Sequence, residues 1–298
     1  MLRTIPSSNQ LSLVHVFWHD DYIKQLDIRY LAAENSPLRL LHLEKRKMHR
    51  FSSIRRTTRG MGSVTCQANT NKTVIITGTW FLWRIPGSCA ARSSRDVAGA
   101  NTGIGYETAR ALLKKGGYDI VMACRDNGKM QAAKTRLLAE AGQVPAQVDT
   151  MVLDLADLSS VRDFASRYLD SGRPINVLDN NAGLMAPPLL RTRDGFESQF
   201  GTNHLGHFLL TMLLLPRVAE SGRAGAAARI VNVASTAHMF GHINFSDLNS
   251  ERGYQEWIAY GQSKLANILF TYELARRLPN RCVGTAEHAA LEQWQAAV

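Results

Sequence analysis

The chain has 298 residues, 45% hydrophobic and 20% charged, a composition that suits one large or two small globular domains. No apolar run approaches the roughly 18–20 residues of a membrane-spanning helix; Leu11–Trp18 is among the longest and is far too short. The formal net charge is +10, but residues 1–60 hold 11 Lys/Arg against 5 Asp/Glu, so more than half of the excess sits there and no nucleic-acid partner is expected.

Residues 1–70 differ from the rest. Glu44–Ser63 is basic and rich in Ser and Thr, like the end of an organellar transit peptide, while Asp20, Asp21, Asp27, Glu34 and Glu44 count against that reading for the whole segment. A disordered leader, or translation from Met48 or Met61, is the expectation preferred for residues 1–70. The compartment is therefore cytoplasmic, or a plastid or mitochondrion if the leader is a transit peptide. The cysteines Cys66, Cys89, Cys124 and Cys282 form no CxxC pair and no Cys/His cluster, which predicts free thiols in a reducing compartment and no metal.

From residue 71 the chain reads as one domain. "TVIITG" is a strand, Gly105–Gly117 a helix ended by glycine, Tyr118–Cys124 a strand, and Asn127–Gly142 a helix. Ala146–Asp154 is a strand, Leu158–Gly172 a helix, and Ile175–Gly183 a strand running into a turn. A long helix over Glu197–Glu220, a strand over Ala228–Ser235 and a long helix over Trp257–Leu278 complete the pattern. Strand–helix alternation with short connections predicts an α/β fold, a Rossmann-like doubly wound parallel sheet flanked by helices. Five strands are expected and none after Leu278.

One stretch breaks the pattern. "TVIITGTWFLWRIPGSCAARSSRDVAGANTGIGYETAR" begins as a strand entering a glycine turn and ends as a glycine-rich turn opening a helix. Joining Gly78 to Ala100 restores an uninterrupted strand–turn–helix, so residues 79–99 read as a retained in-frame intron or a genuine insertion. Two geometries compete: the excursion bulges out and rejoins, or Gly99 takes over as first glycine and the turn is detached from its strand.

Five features carry chemistry. "GANTGIG", Gly99 to Gly105, can bring backbone and a helix N-terminus against a pyrophosphate. Arg125, just past the second strand, can hold the 2′-phosphate of NADP where an acid would bind the 2′-hydroxyl of NAD, with Asp126 beside it as a complication. Tyr260 and Lys264 lie four apart on one helix face, where a cation favours the phenolate and lowers the phenol's pKa. Ser235 ends the fifth strand at the ligand-binding edge of the sheet and can polarise a carbonyl. Asn203, flanked by Gly201 and Gly206, is unfavourable in a helix on propensity and invites a functional reading, while His204 and His207 read as packing or surface residues.

These motifs in this order resemble the short-chain dehydrogenase/reductase family: "TGANTGIG" once the interruption is removed, "NNAG" (Asn180–Gly183), "VNVAS" and "YGQSK". "GFESQFGTNHLGHFLLTMLLL" and "YGQSKLANILFTYELARRL" resemble its retinol-dehydrogenase-like group, with plant and algal short-chain reductases related and protochlorophyllide reductase more distant. The resemblance implies Tyr260 as general acid, Lys264 lowering its pKa and bonding the nicotinamide ribose, Ser235 orienting the carbonyl, and Asn203 holding a relay water. It implies a cofactor, NADP, contacted by Gly78, Gly99, Asn101, Thr102, Gly103, Ile104, Gly105, Arg125, Asp154, Leu155, Asn181, Ala182, Gly183, Tyr260 and Lys264. The partner is then a small carbonyl or alcohol substrate, with a homo-oligomer left open.

Three departures stand out. Asp179 occupies a strand position that is usually apolar, where an unpaired carboxylate is costly or neutralised by a raised pKa. Ala234 replaces a common serine. After Leu278 no Pro-Gly segment, substrate loop or further strand is recognisable, so substrate identity is not legible there; the resemblance implies NADP-dependent reduction of a lipophilic, retinal-like carbonyl or oxidation of its alcohol, and the alternative is an inactive or merely nucleotide-binding product of an aberrant transcript.

Overall fold

The computed structural model describes residues 71–78, 80–81, 97–98, 100–142, 146–222, 227–278 and 282–285. The expectations for residues 1–70, for Gly99 and for the cysteines Cys66 and Cys89 lie outside them.

Strand β1 (Lys72–Thr77) is buried from Thr73 onward, and Val74, Ile75 and Ile76 are wholly enclosed. A continuous apolar run suits a parallel strand covered on both faces. Two dipeptide strands follow, β2 (Trp80–Phe81) and β3 (Val97–Ala98). Helix α1 (Gly103–Lys115) then ends at Gly116 and Gly117, both at positive φ (76° and 78°), where a side chain would be strained. Next come β4 (Tyr118–Cys124), α2 (Asn127–Ala141), β5 (Val148–Val152), α3 (Leu158–Asp170), β6 (Val177–Asn180) and the short β7 (Gly183–Leu184). A π-helical turn, Phe200–Gly206, runs into α4 (His207–Ser221). Strand β8 (Ala228–Asn232), a 3-10 turn (Thr236–Phe240), α5 (Glu256–Arg277) and β9 (Cys282–Thr285) complete the chain order.

Six parallel strands form the main sheet in the order β5-β4-β1-β6-β8-β9. Counted along the chain within this sheet, that is third, second, first, fourth, fifth, sixth, the doubly wound order with its switch point between β1 and β6. The α/β expectation holds. The expectation of no strand after Leu278 does not: β9 pairs with β8 from Ala228↔Cys282 to Val231↔Thr285. The edge of β8 is therefore covered rather than exposed. On one face, α1 and α2 pack Tyr106, Ala109, Leu113, Met130 and Leu137 against Val74, Ile76, Ile120 and Met122. Each such enclosed aliphatic side chain contributes roughly 1.5–3 kcal/mol.

The interrupted stretch keeps its two ends together. The Asn181 amide donates to the Thr77 carbonyl at 3.2 Å, and a Cβ on Gly105 would stand 2.7 Å from that same amide nitrogen and 3.3 Å from the Ala100 Cα. The strand end, the glycine turn and β6 thus meet at one point, so the excursion rejoins and the turn is not detached. Within the excursion, β2 pairs antiparallel with β3 and parallel with β7, in register Trp80↔Gly183 and Phe81↔Leu184.

Candidate active site

The carboxyl ends of β1, β4, β6 and β8 converge at the switch point. There Gly78 donates its N–H to the Ala123 carbonyl at 3.3 Å, and Ala100 and Asn101 are buried. The Asn101 carbonyl accepts from Arg136 (3.1 Å), and the Cys124 thiol donates weakly to the Asn101 Oδ1 at 3.8 Å. Burial pushes the Cys124 thiol up to about 11, so it is an inert core group.

Helix α1 opens differently from its neighbours. The N-termini of α2, α3 and α5 are capped by the side chains of Asp126, Asp157 and Gln255. Thr102 is exposed and makes no side-chain cap bond, Gly103 sits at φ 62°, and no acid occupies the first turn. The first N–H groups of α1 and the positive end of its dipole are left for an anion. The Asp126 carboxylate beside Arg125 caps α2, accepting from the N–H of Lys129 (3.0 Å). Arg125 itself is exposed just past β4.

Asp154 and Leu155 follow β5. The Asp154 carboxylate accepts from the N–H of Ala156 (2.9 Å), and Leu155 is buried. Gly206 permits this: a Cβ there would lie 2.5 Å from the Leu155 carbonyl oxygen. Asn181, Ala182 and Gly183 are buried at the end of β6. Asn181 Oδ1 is enclosed with no partner, an acceptor awaiting a donor the described residues do not supply.

Ser235, Tyr260, Lys264 and Asn203 come together beside this edge. Ser235 caps the 3-10 turn, accepting from the N–H of Ala237 at 3.3 Å, and its hydroxyl also hydrogen-bonds the Tyr260 phenol. Lys264 is fully enclosed, donates to the Val233 carbonyl at 3.0 Å, and has its ammonium 5.8 Å from the centre of the Tyr260 ring. Burial lowers the Lys264 ammonium to about 8. Burial also raises the Tyr260 phenol above 10, and the Ser235 bond only partly offsets it. The Lys264 ammonium lies over the Tyr260 ring, and burial is the largest cause of the phenol's rise. A Cβ on Gly183 would stand 3.3 Å from both the Lys264 ammonium and Asn203 Oδ1, a tight fit that would make these side chains give way by a few tenths of an ångström.

The Asn203 amide is held on both sides. Its Oδ1 accepts from Leu184 N–H (2.6 Å), and its Nδ2 donates to the Leu184 carbonyl and to Ser263 Oγ (both 2.9 Å). Ser263 in turn donates to the Tyr260 carbonyl at 2.8 Å. Both amide protons are thus used, and Oδ1 keeps one lone pair. Ser263 and Thr77 join the site without having been singled out in the sequence, the one signal for Ser263 being its place inside "YGQSK", and His207, read there as packing or surface, bonds Thr77 and the Asn203 carbonyl. His204 and His207 are buried, as packing residues would be, and among the described residues no group of three His, Cys, Asp or Glu could hold a metal.

A model of the short chain dehydrogenase family matches residues 96–286. The chain belongs to the short chain dehydrogenase family. It is 50% identical over 182 residues to retinol dehydrogenase 12 of Mus musculus, covering 61% of this chain and 55% of that protein. It is likewise 50% identical over 183 residues to retinol dehydrogenase 13 of Homo sapiens, covering 61% and 53%. The chain therefore spans about half the length of these relatives. A crystal structure of an uncharacterized protein from Mycobacterium paratuberculosis matches with a TM-score of 0.54 at 44% identity, covering 74% of this chain and 67% of that one. The family's dinucleotide site fits the residues present: an uncapped α1, a glycine at each close approach, and an orphaned acceptor on Asn181. Gly105→Ala is expected to weaken NAD(P)H binding on the order of tenfold, about 1.4 kcal/mol, in a fluorescence titration. The new methyl displaces the Asn181 amide from Thr77, and an unchanged affinity would show that this contact does not shape the nucleotide turn.

Proposed function

We propose that this chain carries an NADP-dependent oxidoreductase that reduces a lipophilic aldehyde or ketone, or oxidises the corresponding alcohol. The observation that carries the substrate class is an apolar collar beside Tyr260. Met239 and Phe240 on the 3-10 turn are 76% and 52% exposed, and Trp257 and Ile258 at the start of α5 are 48% and 51% exposed. The Trp257 ring meets Tyr260 edge-on at 6.1 Å, and the Phe240 ring lies against Gly261. Exposed apolar groups on these two packed elements suit an apolar ligand.

In this reading nicotinamide supplies the hydride. The Tyr260 phenol, neutral at pH 7, gives its proton to the carbonyl oxygen, and the Ser235 hydroxyl orients that oxygen. The Lys264 ammonium, largely charged at neutral pH, stabilises the phenolate left behind. Arg125 meets the 2′-phosphate, with Asp126 turned away into its cap. Two measurements test this. Across a series of n-alkyl aldehydes, kcat/KM should rise roughly fourfold per methylene, the value of about 0.8 kcal/mol per buried CH₂; a flat series removes the lipophilic reading. Arg125→Asp should weaken NADPH binding roughly 10- to 100-fold, the worth of a charged hydrogen bond, while sparing NADH; equal effects on both remove the NADP preference.

A second reading, nucleotide binding without turnover, draws on β2. Its backbone pairs with Gly183–Leu184, the segment expected to line the cofactor. NADPH binding with no turnover of any aldehyde in the series would favour it.

A further inference from the structure

His207 does more than pack. Its own N–H is turned to the His204 carbonyl, and its ring Nδ1 lies 3.0 Å from the Asn203 carbonyl oxygen. Its Nε2 lies 2.8 Å from Thr77 Oγ1. A carbonyl can only accept, so Nδ1 carries the proton and Nε2 is a bare acceptor. The Thr77 hydroxyl must then donate to Nε2. Its lone pairs are left to accept the N–H groups of Asn181 (3.1 Å) and Ala182 (3.4 Å). The 3.2 Å approach of Thr77 Oγ1 to the Asp179 carbonyl has no second proton to use. The ring is buried, and burial holds it neutral, its pKa lowered to about 3.

One imidazole thus ties the end of β1 and the "NNAG" backbone to the π-helical turn that presents Asn203. Through Asn203 the chain of bonds continues to Ser263 and the Tyr260 carbonyl. We infer that His207, locked as the Nδ1–H tautomer between Thr77 and the Asn203 carbonyl, is a positioning residue that holds the catalytic helices in register with the nucleotide edge. This rests on the reading of Asn203 and Tyr260 given above.

The test separates the two bonds and uses the full chain. An Asn side chain places its amide where Nδ1 stands, and a Gln side chain reaches where Nε2 stands. His207→Asn keeps only the Asn203 bond and His207→Gln only the Thr77 bond, so each, like His207→Leu, breaks the link and should lower kcat roughly 10- to 100-fold, the loss expected of a group misplaced by about 1 Å, with the Kd for NADPH unchanged. Full kcat in His207→Asn or in His207→Gln overturns the inference. Nitrogen-15 spectra of histidine-labelled parent protein, with His207 assigned by its loss in His207→Asn, should show Nδ1 protonated and Nε2 bare. Thr77→Val should shift the His207 nitrogen resonances and Thr77→Ser should not. An Nε2–H tautomer, or resonances blind to Thr77→Val, refutes the proposal even where a His207 variant fails to fold. Tyr260→Phe assayed alongside keeps the readings apart: full turnover there condemns the catalytic assignment, while the tautomer is judged by the spectra alone.

Discussion

Tyr260→Phe should lower aldehyde turnover by roughly 10²–10⁴-fold, the range for loss of a positioned general acid, and leave the Kd for NADPH unchanged. The ring is buried between Trp257 and the Lys264 stem, so phenylalanine fills the same space and the packing survives. What disappears is one proton donor and the partner of the Ser235 hydroxyl. Burial raises the phenol above its ordinary value, which keeps its proton in place at pH 7, the state carbonyl reduction requires. The pH profile follows from the same groups. Reduction should decline as pH rises through about 8, where the buried Lys264 loses the proton that stabilises the developing phenolate. Alcohol oxidation needs the phenolate first and should instead rise toward alkaline pH until Lys264 is neutral. A Tyr260→Phe chain that keeps its turnover would remove Tyr260 from the mechanism and leave the nucleotide site intact as a binding site.

Much of this site was legible in the sequence because its parts are local. A strand of buried apolar residues, a glycine turn and an amphipathic helix each leave a mark within a dozen residues, and β4 and α2 appear at their expected positions within a residue. The family resemblance, rather than any local pattern, implied that Ser235 and Tyr260 act together. What could not be read depends on partners far away. Strand β9 is four residues long and contains a glycine, and only its ladder with β8 makes it a strand. The π-helical turn slips the hydrogen-bond ladder without disturbing the spacing of apolar residues, so its sequence reads as ordinary helix. Four-residue spacing between Tyr260 and Lys264 reveals a neighbour but not how deeply both are buried. Asp126 shows the reverse case, an acid that looked like an obstacle to phosphate and is a helix cap.

Asp179→Val should stabilise the fold by about 4 kcal/mol at pH 8 and by much less at pH 5. Asp179 sits in the centre of β6, paired in register with Ile76 and Val231, on the sheet face that carries Val74 and Ile76. It is 6% exposed, and its Oδ1 has no hydrogen-bond partner. Burial alone pushes its carboxyl up to about 7 from an ordinary 3.8. The folded chain therefore holds a proton that the unfolded chain has already lost between about pH 4 and pH 7, and stability contributed by the neutral acid drains away as pH rises through that window. About three pKa units at 1.36 kcal/mol each give the figure of about 4 kcal/mol. Two histidines oppose it. His204 and His207 are lowered by burial to about 4 and about 3, so each binds its proton in the unfolded chain and loses it on folding. Between about pH 4 and 6.5 their combined slope is twice that of Asp179 and of opposite sign, so the parent chain still gains stability with pH there. Above about 6.5 the histidines fall silent, and the lowered Lys264 adds its own rise in stability only as pH passes about 8. Urea unfolding of parent and Asp179→Val from pH 5 to 8.5 isolates the effect, because the histidines cancel in the difference. That difference should grow steadily to about pH 7 and then level off. A difference independent of pH would mean that Asp179 finds a cation or a hydrogen-bond donor in the folded chain and is ionised throughout.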